Sequence, residues 1–250
     1  MKFNSLNVNN LERVPNSNFR KFKKICIQCL SGKILKNNST KIIINEVGIE
    51  NFTPLRKKYD GITKFGVSEN DNDYIILLPN NNSDINTLFY ISFNKINNKY
   101  YLCKGIYDGN EMEMNIFIKL NRSLCIDKKY YFSFGDVNFC IEPIKNNKIE
   151  IWINLENEEK NMFQFSPADK SVTIGRSKKC NIVSACNSLS RVQCSIFYED
   201  LDNFWYLQDG SKDHCSMNGT WLFLNDQWEI SEDTEIRIGE NSLAINFMNE

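Results

Sequence analysis

The chain has few of the residues on which enzyme active sites and metal centres depend. Its 250 residues include one histidine, His214, so zinc sites with two histidines are excluded and a Ser-His-Asp triad would have to rest on that residue. There is no Gly-x-x-x-x-Gly-Lys phosphate loop, and the pair Cys26 and Cys29 has no second pair at zinc-site distance. We therefore expect no enzymatic activity, no cofactor and no metal.

An excess of charge and long apolar runs are also lacking. The formal net charge is −1, which provides no general electrostatic attraction to nucleic acid or to an anionic membrane. No stretch approaches about 18 consecutive apolar residues, and the N-terminus has no apolar segment typical of a signal peptide. Nine cysteines without such a signal are typical of small buried side chains in a reducing compartment. These absences predict an intracellular protein, in the cytoplasm or nucleus, that binds neither nucleic acid nor membranes.

What the chain has instead is many short apolar segments, and these commonly alternate with polar residues. Ile149, Ile151, Ile153 and Leu155 fall on one face of such a segment, as in a half-buried strand. Helical periodicity is nowhere sustained. The pattern predicts an all-β fold of two tandem β-sandwich domains with mostly antiparallel strands.

Landmarks in the two halves of the chain repeat at a near-constant separation. Gly135 and Gly239 occur in similar contexts, and Tyr100 corresponds to Trp205, each pair about 105 residues apart. A repeat this long indicates two copies of one domain.

We therefore predict three parts. Residues 1–20 are a flexible, polar N-terminal segment, residues 21–144 are the first domain, and residues 149–248 are the second. Residues 143–148 are expected to be a short linker between the domains.

Several motifs of the second copy together resemble the forkhead-associated (FHA) domain. The resemblance implies a β-sandwich, not an enzyme, whose loops at one end bind phosphothreonine peptides. The motifs cover residues 149–248 and are Thr173-Ile174-Gly175-Arg176-Ser177, Asn181-Ile182-Val183, Leu189-Ser190-Arg191, Trp205-Tyr206-Leu207-Gln208-Asp209, Asn218-Gly219-Thr220 and Ile236-Arg237-Ile238-Gly239.

The chemistry of two of these motifs, Thr173 to Ser177 and Leu189 to Arg191, fits phosphate. Arg176 offers a planar, permanently charged fork of donors, and Gly175 before it permits a tight turn. Ser190 can donate its hydroxyl to a phosphate oxygen, and Arg191 adds a second cation. Taken singly, each of these residues is better explained as a surface arginine or an ordinary turn, but jointly they predict a phosphopeptide site.

The motif Asn218-Gly219-Thr220 completes the predicted site. Asn218 presents an amide suited to the main chain of a peptide, and Gly219 supplies a turn conformation, although Asn-Gly is also a common hairpin turn. By the resemblance, Thr220 braces this loop. Two residues depart from the family pattern. Gln193 replaces a histidine and is expected to retain part of its hydrogen bonding, and Met217 replaces a small hydroxyl residue that would contact phosphate.

The first copy departs much further. Val67 stands at the position of Arg176, and Glu113-Met114-Asn115 stands at the position of Asn218-Gly219-Thr220, where a carboxylate would repel phosphate. Either Ser83 or Ile85 aligns with Ser190. We interpret residues 21–144 as a degenerate FHA-like sandwich, or alternatively as an unrelated β domain.

Two functions follow from this sequence. The first is an adaptor whose second domain binds a phosphothreonine-containing protein and whose first domain contacts other protein subunits. The alternative is a structural subunit of a large assembly, cytoskeletal or ciliary, in which both sandwiches are phosphate-independent contact modules.

Overall fold

The protein is built almost entirely of β-strands. The computed structural model describes residues 24–31, 41–77, 87–105, 115–134, 137–154, 160–239 and 241–248. Within these ranges the helical structure is one 3-10 turn at Pro167–Asp169. The predicted all-β fold with mostly antiparallel sheets is therefore confirmed.

The strands are numbered in chain order. They are β1 (Ile25–Ser31), β2 (Lys41–Asn45), β3 (Gly48–Ile49), β4 (Ile62–Gly66), β5 (Tyr74–Ile75), β6 (Thr87–Asn94), β7 (Lys99–Lys104), β8 (Ile116–Lys119), β9 (Leu124–Cys125), β10 (Tyr130–Phe134), β11 (Val137–Ile144), β12 (Lys148–Asn154), β13 (Lys160–Phe165), β14 (Ser171–Gly175), β15 (Ile182–Val183), β16 (Cys194–Glu199), β17 (Phe204–Asp209), β18 (Trp221–Phe223), β19 (Gln227–Glu229), β20 (Thr234–Ile238) and β21 (Asn241–Phe247).

Alternation of apolar and polar residues explains which face of each strand is buried. Ile149, Ile151 and Ile153 of β12 are almost completely buried, while the intervening Glu150 and Trp152 are half-buried on the other face. β-branched side chains of this kind pack well on a pleated surface. The sequence prediction for this strand is confirmed for the residues that the structure describes.

The strands form one large sheet and two smaller ones. The large sheet has eleven strands in the order β13-β12-β11-β10-β18-β8-β20-β21-β1-β2-β3. The smaller sheets have the orders β15-β14-β16-β17-β9 and β19-β7-β6-β4-β5. Each smaller sheet packs on one half of the large sheet, which gives two separate hydrophobic cores.

The two halves of the chain exchange strands. In the large sheet, β1 pairs with β21, and β11 pairs with β12. The first core accordingly combines residues 25–118 with Leu224, Ile230, Ile236, Ile238, Leu243 and Ile245. The second core combines residues 149–222 with Leu120, Ile126, Phe132, Phe134, Val137, Phe139 and Ile141. Each sandwich is therefore completed by strands from the other half of the chain.

A pseudo-twofold relation accompanies this strand exchange. β8 and β18 lie side by side at the centre of the large sheet, with Phe117 opposite Phe223. Phe132 of β10 pairs with Leu222 of β18, and Ile236 of β20 pairs with Ile118 of β8. One shift of about 105 residues converts the first pairing into the second, which agrees with the repeat predicted from the sequence.

The segment that was expected to be a linker is the turn of a β-hairpin. Ile144 pairs with Lys148, so only three residues connect β11 to β12. Asn146 and Asn147 adopt positive φ values of 63° and 55°, which asparagine tolerates better than most residues. The division into domains 21–144 and 149–248 stays a prediction, and the strands that complete each core cross it.

Candidate functional site

Three loops at one end of the second sandwich surround a depression of about 790 Å³. The first loop follows β14, the second lies between β15 and β16, and the third connects β17 to β18. Four of the predicted site residues line the depression, namely Arg176, Ser190, Arg191 and Asn218. Main-chain hydrogen bonds hold the first two loops together, from Arg176 N to Ser190 O at 3.1 Å and from Ser177 N to Arg191 O at 3.1 Å.

Gly175 permits the close contact between these two loops. A Cβ atom added at this position would lie 2.5 Å from the carbonyl oxygen of Arg191, closer than real Cβ atoms approach. Any side chain would therefore push the second loop away from the first. The absence of a side chain at Gly175 is what allows Arg176 to lie next to Ser190.

Ser190 is oriented by hydrogen bonds on both its main chain and its side chain. Its hydroxyl oxygen accepts a hydrogen bond from Met217 N at 2.8 Å, and its main-chain N–H donates to Gln193 Oε1 at 3.0 Å. Because the hydroxyl acts as an acceptor for Met217, its own hydrogen is available to a bound anion. Met217, which replaces the usual hydroxyl residue, contributes its main chain here, while its side chain is 89% exposed.

Gln193 connects the second and third loops from a fully buried position. Its amide oxygen Oε1 accepts from Ser190 N, and its amide nitrogen Nε2 donates to Ser216 Oγ at 2.8 Å and to Gly219 O at 3.0 Å. A neutral imidazole has one donor and one acceptor, whereas a carboxamide has two donors and an acceptor. Glutamine therefore uses three hydrogen-bonding functions where the histidine of the family pattern has two.

Hydrogen bonds to the second loop and to Asp209 fix the conformation of the third loop. Asn218 Nδ2 donates to Ser188 O at 2.7 Å, and Gly219 adopts a φ of +72° that disfavours other residues. Thr220 is completely buried, and its hydroxyl donates to Asp209 Oδ1 at 2.8 Å. Gly219 and Thr220 thus shape the loop but do not line the depression, whereas the Asn218 side chain does.

The electrostatics of the depression favour an anion. It is lined by three cations, Arg176, Lys179 and Arg191, together with His214, and no carboxylate belongs to the lining. Among the described residues, no acidic side chain forms an ion pair with these cations. Lys179 is the basic residue that the sequence reading missed, although its position three residues after Arg176 in the same turn was a usable signal.

In the described part of the first half, the position that corresponds to Arg176 is Val67, which is partly buried against the first core. Arg56, also in the first half, is bound on several sides, with Nε 3.1 Å from Asp73 Oδ2 and NH1 3.1 Å from Asp60 Oδ2. This arginine is therefore committed to an internal ion-pair network. The predicted substitutions at Ser83 or Ile85 and at Glu113-Met114 lie outside the described residues, as does the N-terminal segment 1–20.

The described ranges lack a metal-binding cluster and a membrane-spanning helix. No cluster of three or more His, Cys, Asp or Glu side chains there has a geometry that could hold a metal ion. No helix in those ranges has the length and apolarity needed to cross a bilayer.

Comparison with known proteins places the depression within a recognised family segment. Residues 172–239 match the model of the FHA domain. No curated protein matches the chain. Among solved structures, the chain is similar to the Slr1951 protein from Synechocystis sp., with 16% identity over 49% of this chain and 99% of that chain. The TM-score is 0.23, so this similarity carries no structural argument.

Proposed function

Residues 172–239 form an FHA domain, a non-enzymatic module that binds phosphopeptides, and on this premise we propose that the protein is an adaptor for a phosphothreonine-containing partner. Arg176 and Ser190 hold the phosphate, Arg191 and Lys179 add positive charge, and Asn218 holds the main chain of the peptide. The first half of the chain contacts other protein subunits. The adaptor acts inside the cell, where protein kinases supply its ligand.

The observation that carries this proposal is the set of cations without internal partners. Arg176, Lys179 and Arg191 line one depression, and no described carboxylate neutralises them. Their arrangement beside the free hydrogen of Ser190 suits a dianionic phosphate, which accepts several charge-assisted hydrogen bonds. In the described part of the first half, by contrast, Arg56 is already paired, which supports placing the phosphate site in the second half.

The strength of such a site is limited. Two or three hydrogen bonds to a charged group contribute about 1.5–3 kcal/mol each, and micromolar affinity corresponds to about 8 kcal/mol. Peptide residues that flank the phosphothreonine must therefore contribute to affinity and specificity.

The test is binding of a degenerate phosphothreonine peptide library to the wild-type protein and to Arg176→Ala. We expect the variant to lose at least tenfold in affinity, because the bidentate cation is gone. Arg122→Ala, which removes an exposed arginine that does not line the depression, is the matched control and should bind like wild type. If the wild-type protein binds no peptide in a phosphate-dependent manner, the adaptor proposal fails and the phosphate-independent structural subunit is favoured.

A further inference from the structure

The outer face of the large sheet carries a row of side chains that neither core uses. We call this row, which runs across the strands, the aromatic row. Met162 pairs with Trp152, Trp152 with Cys140, and Cys140 with Tyr131, across β13, β12, β11 and β10. Phe223 pairs with Phe117, and Phe117 with Arg237, across β18, β8 and β20. The pairing of Phe132 with Leu222 places Tyr131 next to Phe223 and so joins the two parts. The members are Met162, Trp152, Cys140, Tyr131, Phe223, Phe117 and Arg237.

Strand alternation shows that the aromatic row points away from both cores. Trp152 lies between the buried Ile151 and Ile153, and Phe117 lies between the buried Ile116 and Ile118. Tyr131 is 45% exposed and Met162 is 47% exposed. A sheet face that is exposed to water normally carries polar side chains. The stability of the two sandwiches therefore does not explain why this face is aromatic.

Part of the aromatic row forms the floor of a groove of about 730 Å³. The floor includes Trp152, Tyr131, Phe223 and Phe117, and none of the residues that line the groove is acidic. Its polar lining is dominated by side-chain amides, which can donate to and accept from the main chain of a bound peptide. These amides belong to Asn115, Asn138, Asn154 and Asn225.

Arg237 places a positive charge at one end of the aromatic row. Its guanidinium carbon lies 4.9 Å from the centre of the Phe117 ring and 4.7 Å from that of Trp221. Burial lowers the pKa of Arg237, and in the described part of the chain no carboxylate pairs with it. By the pseudo-twofold relation, Arg237 corresponds to Ser133, because Phe134 and Ile238 are the last residues before equivalent hairpin turns. The two halves thus differ at this position by a cation in place of a neutral serine.

We propose that the aromatic row is a docking site for an extended, unphosphorylated segment of a partner protein that carries aromatic or large aliphatic side chains and a carboxylate. The apolar side chains occupy the groove, and the carboxylate binds Arg237. From β12 to β20 the row crosses five strand spacings, roughly 24 Å, which an extended segment of about seven residues spans. The charge of the segment is complementary to a site that has an unpaired cation and no acidic lining.

The test is selection of a random, unphosphorylated octapeptide library on the full-length protein, followed by affinity measurements on the selected peptides. We expect selected peptides to combine aromatic or large aliphatic residues with Asp or Glu. Arg237→Gln should weaken their binding about tenfold and Arg237→Lys less, since lysine keeps the charge but lacks the planar fork. Tyr131→Ser should weaken binding, whereas the control Arg122→Gln should not. Circular dichroism checks that each variant is folded.

Three results would overturn this docking site. One is selection without any enrichment of aromatic and acidic residues, and the second is equal binding of the selected peptides by wild type and Arg237→Gln. The third is a wild-type dimer that Tyr131→Ser converts to a monomer, because a second copy of the chain would then cover the row. The phosphothreonine site is tested separately, since Arg176→Ala should leave binding of these peptides unchanged.

Discussion

The strand exchange predicts that the protein survives a break in its backbone at the turn between β11 and β12. Cleavage between Asn146 and Asn147, at a protease site inserted there, divides the chain into two fragments. In the exchanged fold, six core residues of the second fragment, from Leu224 to Ile245, remain in the first core. Seven residues of the first fragment, from Leu120 to Ile141, remain in the second core.

The free energy that holds the two fragments together follows from this mutual burial. Each fully buried large apolar side chain contributes about 1.5–3 kcal/mol, so thirteen of them contribute roughly 20–40 kcal/mol. Association of two chains costs about 4–15 kcal/mol. Middle values leave about 20 kcal/mol, well beyond the roughly 12 kcal/mol that nanomolar affinity represents. The cut protein should therefore remain one species at nanomolar concentration.

The assay is exchange of a fluorescently labelled fragment into an excess of unlabelled cut protein, with size-exclusion chromatography at decreasing concentration. We expect no exchange over hours without denaturant, and a circular dichroism spectrum like that of the uncut protein with the same insertion. If each domain instead closed on itself, the fragments would share little beyond the contact between β8 and β18. Separation at micromolar concentration, or exchange within minutes, would refute the strand exchange.

Three further predictions concern single side chains. Gln193→Ala leaves buried hydrogen-bonding groups unpaired, at a cost of about 1–3 kcal/mol each. Urea unfolding should therefore show that the free energy of unfolding falls by about 2–5 kcal/mol, and phosphopeptide binding should weaken. A decrease below about 1 kcal/mol would contradict this role. Asp73→Ala leaves the Arg56 guanidinium buried without its main partner, so the free energy of unfolding should fall by about 3–5 kcal/mol in the same assay. An unchanged urea midpoint would show that the ion pair does not stabilise the fold. Burial alone would raise the pKa of Asp60, but the hydrogen bonds and charge of Arg56, with a main-chain hydrogen bond from Ile62, outweigh it and hold this pKa below its ordinary value. Part of the stability should therefore be lost as the pH falls below about 4, and the loss should be smaller in Asp60→Asn, as urea unfolding at several pH values would show.

Local features of the fold were predictable from the sequence because each strand carries its own alternation. Ile149, Ile151 and Ile153 indicate a buried face whatever strand lies beside them. The choice of partner strand is not predictable in this way. Strand β1 needs an apolar neighbour, and either copy of the last hairpin provides one, with Phe139 and Ile141 in the first and Leu243 and Ile245 in the second. The short connection at Asn146-Asn147 was the available signal, since three residues are typical of a hairpin turn.

The candidate site shows a similar division. The sequence placed Arg176, Ser190 and Asn218 on loops, and the structure brings these loops around one depression. The sequence did not indicate how Gln193 would replace a histidine, because that depends on where Ser216 and Gly219 lie in three dimensions. A carboxamide can satisfy those partners only when both lie within about 3 Å of its nitrogen, which the fold of the third loop decides.

The strand exchange also gives the first half of the chain a structural role beside the candidate site. β18, which follows the loop of Asn218, lies between β10 and β8, and both of these neighbours come from the first half of the chain. The main-chain N–H of Leu120 donates to Thr220 O at 2.9 Å, and Lys119 packs against Gly219, where an added Cβ would lie 3.0 Å from Lys119 Cε. The base of the third loop is therefore built from first-half residues. This support requires the strands of the first half but no phosphate-binding residue in it, so removal of those strands would remove the base of the loop.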